Sequence, residues 1–194
     1  KKISRLQYIT TNAALAEKAC RSGVDWIQLR LKNVHPDVHK AIAKEVQAVC
    51  KAHNATFIIN DNVALAAELA ADGVHLGKQD MPVAEARKIL GAHFIIGATA
   101  NTIDDIIHHT TQPVDYIGLG PFRFTTTKQN LSPVLGIEGY RAILSTQDKA
   151  GITPPPVVAI GGIVQEDIET LMQSGIHGIS VSGVLSDSDD VGAT

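Results

Sequence analysis

The chain has 194 residues, of which 44% are hydrophobic and 19% charged, values typical of a globular domain that needs no disulfide or metal to fold. Seventeen Lys and Arg against twenty Asp and Glu give a net charge of −3 without any basic run, so we expect no nucleic-acid partner. No apolar run approaches the roughly 18 residues that cross a bilayer, so we expect no membrane partner. Cys20 and Cys50 lack CxxC spacing and are interpreted as buried thiols, which favours a cytoplasmic location.

Strand and helix signals alternate along the chain. A phrase in which Gly or Asp precedes a short apolar run recurs at residues 23–27, 71–75, 113–117 and 175–179. Four more apolar, β-branched segments interleave with these at residues 6–10, 56–60, 94–97 and 157–160. Segments of helical period lie between them, for example at residues 13–21, 38–51, 63–71, 82–90 and 165–174.

This alternation predicts the fold. Eight βα units favour a closed parallel barrel, the single-domain α/β (β/α)8 or TIM barrel, with an open doubly wound sheet as the alternative. We expect one domain over residues 1–194, with part of the last helix missing. Asp80 is predicted to cap the helix that begins near Pro82, and Gly23, Gly73 and Gly175 are predicted to end helices in the left-handed conformation.

The carboxyl ends of barrel strands meet at one mouth, where active sites of such barrels form. The residues expected there are Gln28, Arg30, Lys32, Asn60, Asp61, Lys78, Asp80, Thr99, Thr125, Thr127, Lys128, Gly161, Gly162, Ser182 and Gly183. Cations and carboxylates from different loops suit a polyanion bound with Mg²⁺, which takes few carboxylates together with phosphate oxygens. Glycines after the seventh strand allow close approach of backbone N–H groups to a phosphate.

Structural alternatives stay open at this stage. Arg30 and Lys32 also fit a solvated face, and Asn60-Asp61 or Asp80 can be simple helix caps. The polar run at residues 125–128 also fits an idle surface loop. His75 is interpreted as a buried or supporting residue, and the pair at 108–109 as helix surface. The sequence has no His pair with zinc spacing and no Ser-His-Asp set, so covalent hydrolase chemistry has little support.

Taken together, the motifs resemble the thiamin phosphate synthase family over nearly the whole chain. They are Gln28 to Lys32 (QLRLK), Ile59-Asn60-Asp61, Gly73 to Gly77 (GVHLG) with Gln79-Asp80, Gly118 to Pro121 (GLGP), Thr125 to Lys128 (TTTK) and Ala159 to Ile163 (AIGGI). The resemblance implies that a hydroxymethylpyrimidine diphosphate is joined to a thiazole phosphate, which gives thiamin monophosphate and diphosphate. No general base or covalent nucleophile is required for this reaction.

The resemblance also implies residue roles. Gln28, Arg30, Lys32, Asn60 and Lys128 would bind the pyrimidine diphosphate, and Asp61 and Asp80 would bind Mg²⁺. Thr99 would face the pyrimidine, Thr125 and Thr127 would contact the thiazole, and Gly162, Ser182 and Gly183 would hold its phosphate. Arg30, Lys32, Thr99 and Lys128 are the residues expected to act in catalysis, because they touch the reacting substrate or neutralise the leaving group.

The chain departs from the family pattern at three places. Thr99 replaces the usual Ser, Phe122-Arg123-Phe124 replaces an apolar residue, Phe and Pro, and Ser182-Gly183 replaces an apolar residue and Ser. Arg123 is open to two interpretations, a phosphate contact or a surface residue. The Ser-Gly pair resembles the related thiazole tautomerase, so an isomerase and a non-catalytic phosphate-binding barrel remain alternatives. A homo-oligomer is left open.

Overall fold

The computed structural model describes residues 2–124 and 133–182. Its strands close into one parallel barrel in the order β1-β2-β3-β4-β5-β6-β7-β8. The strands are β1 (Leu6–Thr10), β2 (Trp26–Leu29), β3 (Thr56–Asn60), β4 (Gly73–Leu76), β5 (Ile95–Ala100), β6 (Tyr116–Leu119), β7 (Val157–Ile160) and β8 (Gly178–Val181). The helices are α1 (Ala13–Arg21), α2 (Pro36–Ala52), α3 (Val63–Glu68), α4 (Val83–Leu90), α5 (Ile103–Thr110), α6 (Gly136–Lys149) and α7 (Ile168–Gln173), the last preceded by a 3₁₀ turn, Gln165–Asp167.

The barrel is built on the two-residue period of its strands. Residues such as Ile27, Ile59 and Ile117 point outward and pack with the helices in a large apolar layer. The inward positions at the amino-terminal end form a separate cluster of Trp26, Ile58, Ile95, Tyr116 and Val158. Both faces of every strand are therefore covered, which explains why the strands read as nearly continuous apolar runs.

The predicted barrel is confirmed, and the open sheet is excluded by the pairing of β1 with β8. Cys20 and Cys50 are buried free thiols, as expected. Among the described residues, no helix combines the length and apolar character that a bilayer crossing requires.

Two predicted helix boundaries need correction, the end of α3 and the start of α4. Gly23 and Gly175 have backbone φ angles of 93° and 96°, as expected, but Gly73 begins β4 and does not end a helix. A Cβ at Gly73 would lie 2.2 Å from the Ile95 carbonyl oxygen, so close packing of neighbouring strands explains this glycine. Helix α3 ends earlier than predicted, at Glu68, and Ala70 adopts the positive φ there, at 48°.

The second correction concerns Asp80, which does not cap helix α4. The N-cap position of α4 is Pro82, and it makes no side-chain cap hydrogen bond. The Asp80 carboxylate instead accepts a hydrogen bond from the Gly77 backbone N–H at 2.6 Å. The turn after β4 thus holds this carboxylate at the mouth of the barrel.

Candidate active site

Three charged side chains from different loops meet at the rim of the barrel. Lys32 follows β2 and pairs with the carboxylate of Asp61, which follows β3. The carboxyl group of Asp80, which follows β4, lies within hydrogen-bonding reach of the Asp61 carboxyl group. Neighbouring parallel strands end at the same edge, so the sequential loops bring these groups together. We call Lys32, Asp61 and Asp80 the rim cluster.

Asp61 is fixed by its backbone rather than used as a helix cap. Asn62, not Asp61, caps α3, by accepting a hydrogen bond from Leu65 N–H at 2.9 Å. Asp61 has a φ of 63°, in the left-handed region that Asp tolerates better than most residues, and its N–H donates to the His75 carbonyl at 2.8 Å. The alternative interpretation of Asp61 as a simple cap is therefore wrong. Its carboxylate belongs to the rim cluster, where it pairs with Lys32.

The environment of Asp80 raises the pKa of its carboxyl group. Burial is the largest cause that raises the pKa of Asp80, and the hydrogen bond with Asp61 raises it further, while the Gly77 N–H and the nearby Lys32 lower it. Two carboxyl groups in contact resist double ionisation, which an added cation would relieve. Among the described residues, no group of three or more His, Cys, Asp and Glu side chains gathers to form a complete metal cage.

A cavity of about 430 Å³ opens beside this cluster. Asn60 and Asp61 line one side, and Leu31, His39 and Met81 line others. His39, on α2, is buried; burial lowers its pKa, although Asp61 opposes the shift. The cavity therefore offers carboxylate and amide oxygens next to a mostly apolar wall.

A chain of polar side chains fills the inside of the barrel above the Trp26 cluster. Gln28 Nε2 and Ser180 Oγ both donate to Gln7 Oε1, at 2.9 and 2.8 Å. Gln7 Nε2 in turn donates to the Tyr116 hydroxyl at 3.3 Å, and Tyr116 Oη lies 2.9 Å from His75 Nδ1. Every one of these side chains is buried, so the chain replaces water as their hydrogen-bond partner.

This series of hydrogen-bonded side chains ends at Thr99, the residue predicted to face the pyrimidine. His75 Nε2 lies 3.1 Å from Thr99 Oγ1. Gln7 already donates to the Tyr116 oxygen. The distances fit a proton order in which Tyr116 O–H donates to His75 Nδ1 and His75 Nε2–H donates to Thr99 Oγ1. Burial raises the pKa of Tyr116, which keeps its proton in place. The Thr99 hydroxyl hydrogen is then left to donate to a molecule in the mouth.

The glycine pair after β7 lies at the opposite side of the mouth. Gly161 and Gly162 have φ angles of 96° and 67°, which other residues rarely adopt. A Cβ at Gly162 would lie 2.8 Å from the carbonyl oxygen of Phe124, so the chain after β6 packs directly on this turn. Ser182 directly follows β8, the strand that pairs with β7.

The remaining predicted residues divide into three groups. Arg30 is half-buried directly after β2, and Gln28 lies deeper, inside the barrel. Lys78 does not join the rim cluster, because its ammonium pairs with Asp105 Oδ1 at 2.7 Å on α5. Thr125, Thr127, Lys128 and Gly183 lie outside the described residues.

Sequence reasoning missed several polar residues of the interior. Gln7, Tyr116 and Ser180 received no role, although each is polar or carries a hydroxyl inside an otherwise apolar strand. That pattern was the available signal. His109, expected on the helix surface, is half-buried, and its Nε2 lies 3.1 Å from the Thr99 carbonyl oxygen, because this side of α5 faces β5.

Comparison with known proteins identifies the family. The family model described as thiamine monophosphate synthase matches residues 3–185. The thiamine-phosphate synthase of Bacteroides fragilis is 53% identical over 175 residues, which cover 90% of this chain and 85% of that protein. That of Flavobacterium johnsoniae is 50% identical over 193 residues, or 96% and 91% of the two chains. A thiamine phosphate pyrophosphorylase structure from Pyrococcus furiosus superimposes with a TM-score of 0.83 at 29% identity and covers 97% of this chain and 90% of that one. The chain belongs to the thiamine monophosphate synthase family.

Proposed function

We propose that the protein is a transferase that joins hydroxymethylpyrimidine diphosphate to thiazole phosphate, with thiamin monophosphate and diphosphate as products. The observation that carries this proposal is the rim cluster, in which a cation and two carboxylates from three loops meet. Such a set suits a diphosphate bound with a divalent ion and does not suit a neutral ligand. Family membership supports the same reaction.

Asp61 and Asp80 are the residues that would hold Mg²⁺. Their donor chemistry fits, because two carboxylates in contact offer the hard oxygen ligands that Mg²⁺ prefers. Since the part of the chain that the structure describes gathers no third carboxylate, histidine or cysteine there, positions are left for substrate oxygens. When bound, the ion would neutralise charge on the diphosphate. Asn60, buried next to Asp61, is suited to donate its amide N–H to a phosphate oxygen.

Lys32 and Arg30 supply positive charge to the leaving group. Lys32 pairs with Asp61, and a diphosphate at the rim would offer it a second anionic partner. Charge that develops on the departing oxygen is thereby neutralised by groups already in place. Lys128 is predicted to add a third cation, and Gln28 is predicted to contact the same substrate.

Thr99 is suited to orient the pyrimidine. In the His75 tautomer that donates from Nε2, the Thr99 hydroxyl accepts that hydrogen bond and its own hydrogen can donate to a ring nitrogen. The buried chain behind it holds that orientation without water. Loss of diphosphate leaves a pyrimidine cation, and a fixed ring allows the thiazole nitrogen to attack the exposed carbon in line.

Gly162 and Ser182 are proposed to bind the phosphate of the thiazole substrate, with Gly183 completing the site. Glycine at 162 allows close approach of backbone N–H donors, and the loops after the seventh and eighth strands are a common phosphate site in such barrels. Thr125 and Thr127 are predicted to contact the thiazole itself.

The direct test is to incubate the protein with both substrates and Mg²⁺ and to measure thiamin monophosphate and diphosphate. We expect equal amounts of the two products, and loss of both when a chelator removes the metal. Isomerisation of a thiazole phosphate without Mg²⁺ would instead establish the tautomerase alternative. Binding of both substrates without turnover would establish the non-catalytic alternative.

A further inference from the structure

The chain after β6 is held along the turn after β7 by backbone hydrogen bonds. Phe122 N–H donates to the Ile160 carbonyl at 2.9 Å, and Arg123 N–H donates to the Gly161 carbonyl at 2.8 Å. A Cβ at Gly162 would lie 3.0 Å from the Arg123 Cβ. Arg123, which stands at the position of Phe in the family pattern, therefore lies directly against the glycine pair proposed to bind phosphate.

The Arg123 side chain reaches across this turn to Asp167. Arg123 Nη2 lies 2.7 Å from Asp167 Oδ1, and the two side chains are 50% and 11% exposed. The other carboxylate oxygen, Asp167 Oδ2, accepts from the Val164 N–H at 2.9 Å. One carboxylate thus links the Arg123 guanidinium to the backbone two residues beyond Gly162.

The guanidinium is also restricted from its other side. Its central carbon lies 5.6 Å from the centre of the Phe122 ring, within the range of a cation–π contact. Contacts to an aromatic ring and to a mostly buried carboxylate leave the Arg123 side chain little rotational freedom. The pair consequently ties residues 122–123 to residues 161–167 as one unit.

We propose that Arg123 is a positioning residue for the phosphate of the second substrate. Through Asp167 it holds the turn from Gly161 to Val164 in the shape that presents backbone N–H groups to the phosphate. The two consecutive glycines make this turn flexible, and ordering a flexible turn when the ligand binds costs binding free energy. A contact that orders the turn beforehand lowers that cost. This inference rests on the proposed function, since it assumes a phosphate at Gly162.

The test compares Arg123→Met, Asp167→Asn, the double variant and Arg123→Lys in steady-state assays in which each substrate is varied in turn. Methionine keeps a long apolar stem on Phe122 but removes the ion pair. We expect Arg123→Met and Asp167→Asn each to raise KM for thiazole phosphate on the order of tenfold, while KM for the pyrimidine diphosphate changes less than about twofold. The double variant should lose no more than either single variant, and Arg123→Lys should recover part of the loss.

Arg141→Met is the matched control, because it removes an exposed arginine that pairs with Glu138 within helix α6 at 2.9 Å. It should leave both KM values unchanged. Lower melting temperatures of the Arg123 and Asp167 variants with unchanged KM for thiazole phosphate would overturn the inference and make the pair merely structural. A loss confined to Arg123→Met, with Asp167→Asn unaffected, would also overturn it, because Arg123 would then contact the phosphate directly.

Formation of thiamin monophosphate by the unmodified protein decides the proposed function, and the comparison among variants decides the inference. If the unmodified protein forms no product, calorimetric titration with thiazole phosphate alone still tests the inference about Arg123 independently of the proposed function. Weaker binding by Arg123→Met and Asp167→Asn than by Arg141→Met would support the inference. Equal affinity in all of them would overturn it.

Discussion

The charged groups at the two ends of the barrel have different kinds of partners. At the amino-terminal end, Arg87 and Asp115 form an ion pair at 2.6 Å in which both groups are mostly buried. Arg87 also donates to the carbonyl oxygens of Gly91 and Phe94, and Asp115 accepts from Ile96 N–H, so the charges are satisfied by the fold itself. At the carboxyl end, two carboxyl groups of the rim cluster, Asp61 and Asp80, lie in contact with each other.

This difference separates stability from function. Charges that already have a full set of partners hold loops and strands together, whereas like charges placed in contact cost stability unless a ligand compensates them. At the amino-terminal end, the apolar cluster around Trp26 also fills the barrel interior. We therefore expect substitutions at the amino-terminal end to reduce the free energy of unfolding, and substitutions at the rim to reduce turnover.

The largest effect is expected for Ile58→Ala, inside the barrel. Ile58 is 0% exposed and packs in the Trp26 cluster, so truncation leaves a cavity that neighbouring strands cannot fill. The free energy of unfolding should fall by about 2–5 kcal/mol, against about 1 kcal/mol for Ile58→Val. Urea unfolding measures both values. Turnover per folded molecule should be retained, and its loss in a variant of unchanged stability would contradict the division between the two ends.

Asp61→Asn should show the reverse behaviour. Asparagine tolerates the left-handed backbone of this position, so the fold should be kept while one proposed metal ligand is lost. Turnover should fall on the order of 100-fold. Asp115→Asn is the matched control at the opposite end, and it should lower the melting temperature while folded protein keeps its turnover. Equal turnover in the two variants would refute the assignment of stability to the amino-terminal end and of turnover to the rim.

A smaller effect is expected for Gly77→Ala. The added Cβ would lie 2.8 Å from Asp80 Oδ2, and this carboxylate is the flexible end of a side chain, so Asp80 should move while the fold stays intact. The Mg²⁺ concentration that gives half-maximal turnover should rise roughly tenfold, as is usual when the support of a metal ligand is disturbed. An unchanged Mg²⁺ requirement would argue against Asp80 as a ligand.

The smallest effect concerns Asp105, which lies outside the proposed site. Burial raises the pKa of Asp105, but hydrogen bonds from Lys78, Asn101 and Thr102 outweigh it, and the net direction is downward. Because the folded-state pKa lies below that of the unfolded chain, the stabilisation is present above about pH 4 and is lost as the pH falls further. Asp105→Asn should cost less than about 1 kcal/mol at neutral pH, and the difference from the unmodified protein should shrink in acid unfolding experiments.

The rim residues show how far sequence reasoning reached. Asp61 and Asp80 were placed at one mouth because parallel strands end at a common edge, and the structure brings them together. Lys78, at the same strand end as Asp80, turns away to Asp105, because a long side chain can reach either the mouth or the neighbouring helix. Strand order sets where a residue emerges but not which partner its side chain selects.

The sequence by itself determined the barrel, because eight alternations of strand and helix period leave few ways to cover both faces of a parallel sheet. It also determined the family, through the motifs at the strand ends. Only the tertiary structure decided that Gln7, Tyr116 and His75 form one chain behind Thr99 and that Arg123 reaches Asp167. These contacts join residues 24 to 109 positions apart, and no local period records which distant side chains come within hydrogen-bonding distance after the barrel closes.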